Sequence, residues 1–157
     1  MLRDATVDPY AILYDRDGRT VLGVQFMSGR VHTRLLEPDA PASRTYRALE
    51  NAFPDHAVNV TSHTRDGVAL VQAWNDRTPG DTYLFDPAAM SASQVFIQRE
   101  WFDPAKLPKA RAITFKARDG LVLHGYLTLP VGAADASRLP MVVMPHGGPY
   151  GEFDEWD

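Results

Sequence analysis

Cysteine is absent from the 157 residues. Disulfides and thiolate metal sites are thereby excluded, while the compartment stays open between cytoplasm and periplasm, because proteins of both do without cysteine. Long apolar runs are missing as well. No window reaches the roughly 18 apolar residues that span a bilayer. The start, MLRDATVDPYAILYDRDG, carries acidic residues where a secretory leader needs an apolar core. A soluble chain without a membrane partner is expected. Positive charge is neither dominant nor clustered: the formal net charge is -4, the pI is near 5.7 and the arginines are spread along the chain. That distribution lacks the footprint of a nucleic-acid binder, so no such partner is expected.

Two families of catalytic signature are missing too. None of the six serines lies in Gly-x-Ser-x-Gly, and no His-x-His or His-Glu-x-x-His spacing offers a zinc site. Neither a metal nor a cofactor is expected, and His32, His56, His63 and His124 read as ordinary surface or strand residues.

What is present is strand-and-turn language over a hydrophobic share of 45%, enough for a globular core. YAILYDRDGRTVLGVQF reads as a hairpin around Asp17-Gly18, and HAVNVTSHTRDGVALVQAWND repeats the pattern around Asp66-Gly67. TYLFDPAAMSASQVFIQ supplies two more strands joined through Asp86-Pro87, with Pro-Gly serving as further turn punctuation. Arg-Asp-Gly occurs at 16–18, 65–67 and 118–120, and the first interval of 49 residues is close to the length of a propeller blade of roughly 40 to 50. The same tripeptide is also simply a common turn. One segment breaks the β pattern: ASRTYRALENAFPD sets Tyr46, Leu49 and Phe53 on one helical face, with Ser43 as N-cap and Pro54 as terminator.

REWFDPAKLPKAR, with its prolines and positive charges, reads as a linker, placed at 101–111. After it AITFKARDGLVLHGYLTLP is a further hairpin around Asp119-Gly120, VGAADASRLP is a small-residue loop, and MVVM is a run apolar on both faces, which suits a strand buried in a parallel sheet. That run leads into PHGGPYG. Adjacent glycines after a strand present backbone N–H groups free of side chains, and such a loop can hold a negative oxygen. Alone, Gly-Gly is equally a plain turn.

The combination ITFKARDGLVLHGYLTLP, a short small-residue loop and LPMVVMPHGGPYGEFDEW resembles the opening of the catalytic domain in prolyl oligopeptidase family serine peptidases, nearest their acylaminoacyl-peptidase and dipeptidyl-aminopeptidase-like branch. The resemblance covers 107–157. It implies a mainly β fragment: C-terminal β-propeller blades at 1–100, the linker at 101–111, and the first strands of an α/β-hydrolase domain at 112–157. It also implies peptide as substrate of the whole enzyme, with Gly148 as an oxyanion N–H donor beside Gly147, His146 as brace of the loop, and Tyr150 as an alternative donor or a pocket wall. Trp156 is expected to pack at the start of a following helix, and Glu152, Asp154 and Glu155 to form a solvated face. The triad of this fold follows the oxyanion loop in sequence, so the chain alone is expected to be inactive. A carboxylesterase-type hydrolase fragment and a non-enzymatic β-rich interaction module are the alternatives. The module is expected to pair MVVM within the β-rich body, the peptidase to begin a separate sheet after about residue 106.

Overall fold

The computed structural model describes residues 2–133, 138–152 and 154–156. Among them the chain is mainly β, in three antiparallel sheets without a closed barrel. The first sheet is a meander of β1 (Pro9–Tyr14), β2 (Val21–Ser28) and β3 (Arg30–Leu35), in that order. Helix α1 (Pro41–Ala52) follows. A second meander then runs β4 (Ala57–His63), β5 (Ala69–Asn75), β6 (Thr78–Asp86) and β7 (Ser91–Phe96), again in sequence order. One turn of 3₁₀ helix (Pro104–Lys106) leads to a separate two-stranded sheet, β8 (Ala110–Lys116) with β9 (Val122–Thr128).

All three Asp-Gly turns form where expected, with one refinement: only the glycine takes positive φ, at 64° for Gly18, 96° for Gly67 and 90° for Gly120. Each turn is closed by its glycine N–H on a carbonyl at the start of the turn, as in Gly67 to Thr64 O at 3.1 Å and Gly120 to Ala117 O at 3.0 Å. The first two turns touch. Arg16 Nη2 donates to Arg65 O at 2.6 Å and to Thr64 O at 3.3 Å, which keys the first meander onto the second.

Leu13, Tyr46, Leu49, Val58, Ala69, Val71, Ala73 and Phe85 form the core, so it lies between the first two sheets under α1. Strict alternation along β5 turns Ala69, Val71 and Ala73 inward. Tyr46, Leu49 and Phe53 do share the helix face that meets this core. A buried polar knot joins the layers: Gln25 Nε2 donates to Tyr46 Oη and to Val58 O, and Tyr46 Oη donates to Val58 O, each at 3.1 Å. One tie thus links β2, α1 and β4.

Four expectations need correcting. Ser43 is not the N-cap. Pro41 takes the first helical turn, Ala40 caps without a side-chain bond, and Ser43 is fully buried with its Oγ unpartnered. Pro79-Gly80 is not a turn but lies inside β6; Asn75 makes the turn instead, its Oδ1 accepting from Arg77 N at 2.9 Å. MVVM is not a buried strand. It is unpaired and its side chains are 71–84% exposed, because a run apolar on both faces needs neighbours on both edges and no described strand edge reaches it. Trp156 is buried as expected, yet no helix begins in 154–156. The small-residue loop expected over 131–140 lies partly, at 134–137, outside the described residues.

The segment read as a linker is pinned down. Asp103 Oδ1 accepts from Ala105 N at 3.0 Å, Arg77 Nη1 donates to Pro104 O at 3.3 Å, and Ala110 N donates to Asp76 Oδ2 at 2.6 Å. The first bond is internal to the segment, and the other two tie it to the β5–β6 turn.

Candidate functional site

His146, at the head of the His-Gly-Gly segment, borders a cleft of about 600 Å³ between the first sheet and the β8–β9 hairpin. Tyr10 on β1, Met27 beside the β2–β3 turn, Ile113 on β8, His124 on β9, His146 and Asp154 are among its walls. The hairpin comes close because residue 29 is glycine: a Cβ there would lie 2.8 Å from the Ala112 Cβ, and its φ is 79°.

The segment itself is held by three local features. Pro145 and Pro149 bracket it and offer no N–H, and the chain between them belongs to no helix or strand. His146 Nδ1 lies 2.7 Å from Gly147 O, and an N–H on that nitrogen donates to the carbonyl. In the planar trans peptide that joins Gly147 to Gly148, the carbonyl and the N–H point in opposite directions. Holding the Gly147 oxygen against the imidazole therefore turns the Gly148 N–H to the other side, where no bond to another described residue engages it.

Beyond Gly148 the chain is fastened back onto the first sheet. Trp156 is 3% exposed under the Arg30 guanidinium, 5.2 Å from its ring centroid. Its backbone N–H meets Met27 Sδ at 3.3 Å, and Tyr10 Oη donates to Glu155 Oε2 at 3.3 Å. The loop is thus suspended between the hairpin and a buried indole.

The predicted residues divide accordingly. His146 lines the cleft, whereas Gly147, Gly148 and Tyr150 lie outside its walls and are exposed, Tyr150 at 90%. Glu152, Asp154 and Glu155 are exposed as well, although Asp154 also borders the cleft. Of the remaining histidines, His124 shares the cleft with His146. His32 stacks on Phe26 and lies 3.4 Å from Asp4 Oδ2, and burial lowers the pKa of both His56 and His63. Among the described residues no group of three or more histidine and acidic side chains is placed to hold a metal. Sequence reasoning missed Tyr10, Met27 and Ile113 as cleft walls. Nothing local marks them, since they meet only through tertiary packing.

The chain is similar to dipeptidyl aminopeptidase BIII of Pseudoxanthomonas mexicana, with 28% identity over 171 aligned residues, covering 99% of this chain and 24% of that protein. The similarity supports a relationship to a peptidase family, and hence to the hydrolase class. The chain spans about a quarter of the length of that curated relative. No family model matches the chain, and no solved structure does.

Proposed function

We propose that this chain is part of a serine-type peptidase acting on short peptides and that it contributes the oxyanion loop. In this reading 1–100 are the last blades of a β-propeller, 101–111 connect them, and 112–157 begin an α/β-hydrolase domain. The Gly148 N–H donates to the oxygen that becomes anionic when the scissile carbonyl turns tetrahedral, His146 braces the loop through Gly147 O, and Tyr150 stands by as a second donor. Nucleophile, acid and base come from elsewhere in the enzyme.

One observation carries the reading. Neither Gly147 nor Gly148 has positive φ, and a Cβ on either would meet nothing within 4 Å. Gly23 and Gly29 are demanded by close packing, with added Cβ atoms 2.6 Å from Arg34 O and 2.8 Å from Ala112 Cβ. No such demand exists at 147 and 148. Two bare residues leave the backbone open to approach from outside, and an acyl oxygen needs that access. The similarity to a dipeptidyl aminopeptidase favours a peptidase over a carboxylesterase. An interaction module draws no support from MVVM, which pairs with no strand of the β-rich body.

The purified chain should turn over neither activated esters nor peptide anilides; robust serine-type hydrolysis by these 157 residues overturns the reading. In the protein extended through its reading frame, Gly148→Pro, which removes the N–H, should lower kcat by about 10²–10³. Unchanged kcat there would remove Gly148 from the site.

A further inference from the structure

Trp156 is buried, yet it stands apart from the core between the first two sheets: it meets Arg30 and Met27, and neither belongs to that core. Its indole carries the Arg30 guanidinium 5.2 Å from the ring centroid, and its backbone N–H meets Met27 Sδ at 3.3 Å. Both partners belong to one turn. Met27 and Arg30 flank Ser28 and Gly29, and Gly29, at φ 79°, folds β3 back on β2 there.

The same turn touches the chain on both sides of the His-Gly-Gly segment. Ahead of the segment, β8 passes so close to Gly29 that a Cβ there would lie 2.8 Å from the Ala112 Cβ. Behind it, the chain bends at 149–151, where Gly151 takes φ 75°, and returns to Met27 and Arg30 through Trp156. A second hold comes from β1, where Tyr10 Oη donates to Glu155 Oε2 at 3.3 Å. Arg30 is itself paired, with Asp55 Oδ1 3.9 Å from its Nη1. A cation over the face of an indole is a directional contact, so it orients the ring as well as anchoring it.

We infer that Arg30 and Trp156 are positioning residues for the oxyanion donor: their seat holds the chain that leaves Gly148, and with it the direction in which the Gly148 N–H is presented. The inference rests on the oxyanion reading of Gly148. Neither Arg30 nor Trp156 lines the cleft, so the pair acts on the reaction through the loop. In the proposed domain reading Arg30 belongs to the propeller part and Trp156 to the hydrolase part, so one domain steadies the chemistry of the other. Loss of the seat lowers the fraction of molecules with the donor in place, and kcat follows that fraction. The ground-state peptide carries no oxyanion and binds as before.

Steady-state kinetics on peptide anilides, in the protein extended through its reading frame and with Gly148→Pro alongside, test it. Trp156→Ala should lower kcat about tenfold and Arg30→Ala about threefold at unchanged KM, both short of the roughly 10²–10³ for loss of the donor itself. Trp156→Phe keeps a ring for the cation and Arg30→Lys keeps the cation, and each should recover most of kcat. Adding Arg30→Ala to Trp156→Ala should lower kcat no further, because the two act through one contact. A peptide trifluoromethyl ketone, whose tetrahedral adduct sets an oxygen on the donor, should bind Arg30→Ala more weakly by the factor that kcat/KM loses. The Arg30 side chain is 59% exposed, so Arg30→Ala keeps the test open even where Trp156→Ala fails to fold. If Gly148→Pro lowers kcat while Arg30→Ala and Trp156→Ala leave it unchanged, the seat is packing alone: the inference falls and the peptidase reading stands. A change in KM with inhibitor binding unaltered overturns it too. Unchanged kcat in Gly148→Pro removes both.

Discussion

Replacing Tyr46 by Phe removes one oxygen from the only polar tie described between β2, α1 and β4, and its effect can be worked out from three distances. Tyr46 Oη donates to Val58 O at 3.1 Å and accepts from Gln25 Nε2 at 3.1 Å, in a place where Gln25 is 2% exposed and Tyr46 6%. The substitution deletes a buried hydrogen bond and leaves one Gln25 N–H without an acceptor. Val58 O keeps its bond from Gln25 Nε2, also at 3.1 Å, so no carbonyl is orphaned. A lost bond plus a stranded buried donor corresponds to about 1–3 kcal/mol of stability at neutral pH. Urea unfolding should report this as a lower midpoint at unchanged slope. Alkaline pH gives a second signature. Burial first, and then the nearby Glu50 charge, raise the Tyr46 hydroxyl above its ordinary value of 10.0. Below that pH the phenol is protonated in both states and its contribution is complete. Above it the unfolded chain ionises while the folded one does not, so stability falls by about 1.4 kcal/mol per pH unit until the folded value is passed. Tyr46→Phe should abolish that part of the alkaline slope, and the two stability curves should converge as pH rises. Parallel curves, or a variant as stable as the parent at pH 7, would refute the knot as described.

Two further outcomes follow from single side chains. Ser43→Ala should raise stability by about 1 kcal/mol, since it removes a buried hydroxyl without a partner and adds a better helix former, and a lower melting temperature would show that the hydroxyl is satisfied after all. Burial holds the His56 pKa below its ordinary 6.5, so the folded state resists protonating it. Its contribution is therefore present above pH 6.5 and is lost as pH falls through the folded value. His56→Gln should flatten the acid side of the stability curve, and an NMR titration midpoint at or above 6.5 would contradict this.

Much of the fold is legible in short-range chemistry. Asp-Gly between alternating residues specifies a hairpin because glycine alone takes the required φ, and all three such turns form. Tyr46, Leu49 and Phe53 at helical spacing locate α1, but its start is less legible: Ser43 looks like a cap, and Pro41 two residues earlier begins the helix first. β3 leaves a weak signal, since Arg30 to Leu35 reads as polar chain until Gly29, at φ 79°, folds it back on β2. The candidate site is legible only as a motif. Pro145 to Pro149 identify the loop from sequence, whereas the cleft beside it depends on Tyr10, Met27 and the β8–β9 hairpin, far apart in the chain, meeting in the fold. MVVM misleads for the same reason: burial is a property of neighbours, and composition names none.

The docking of Trp156 gives the molecule an optical gauge. Its indole rests on Arg30 and its amide on Met27, and Met27 is also a wall of the cleft that His146 borders. A guest that fills this hollow touches Met27 and with it the seat of the ring. Emission from this one tryptophan, compared with a Trp156→Phe variant, would register occupancy without any added label.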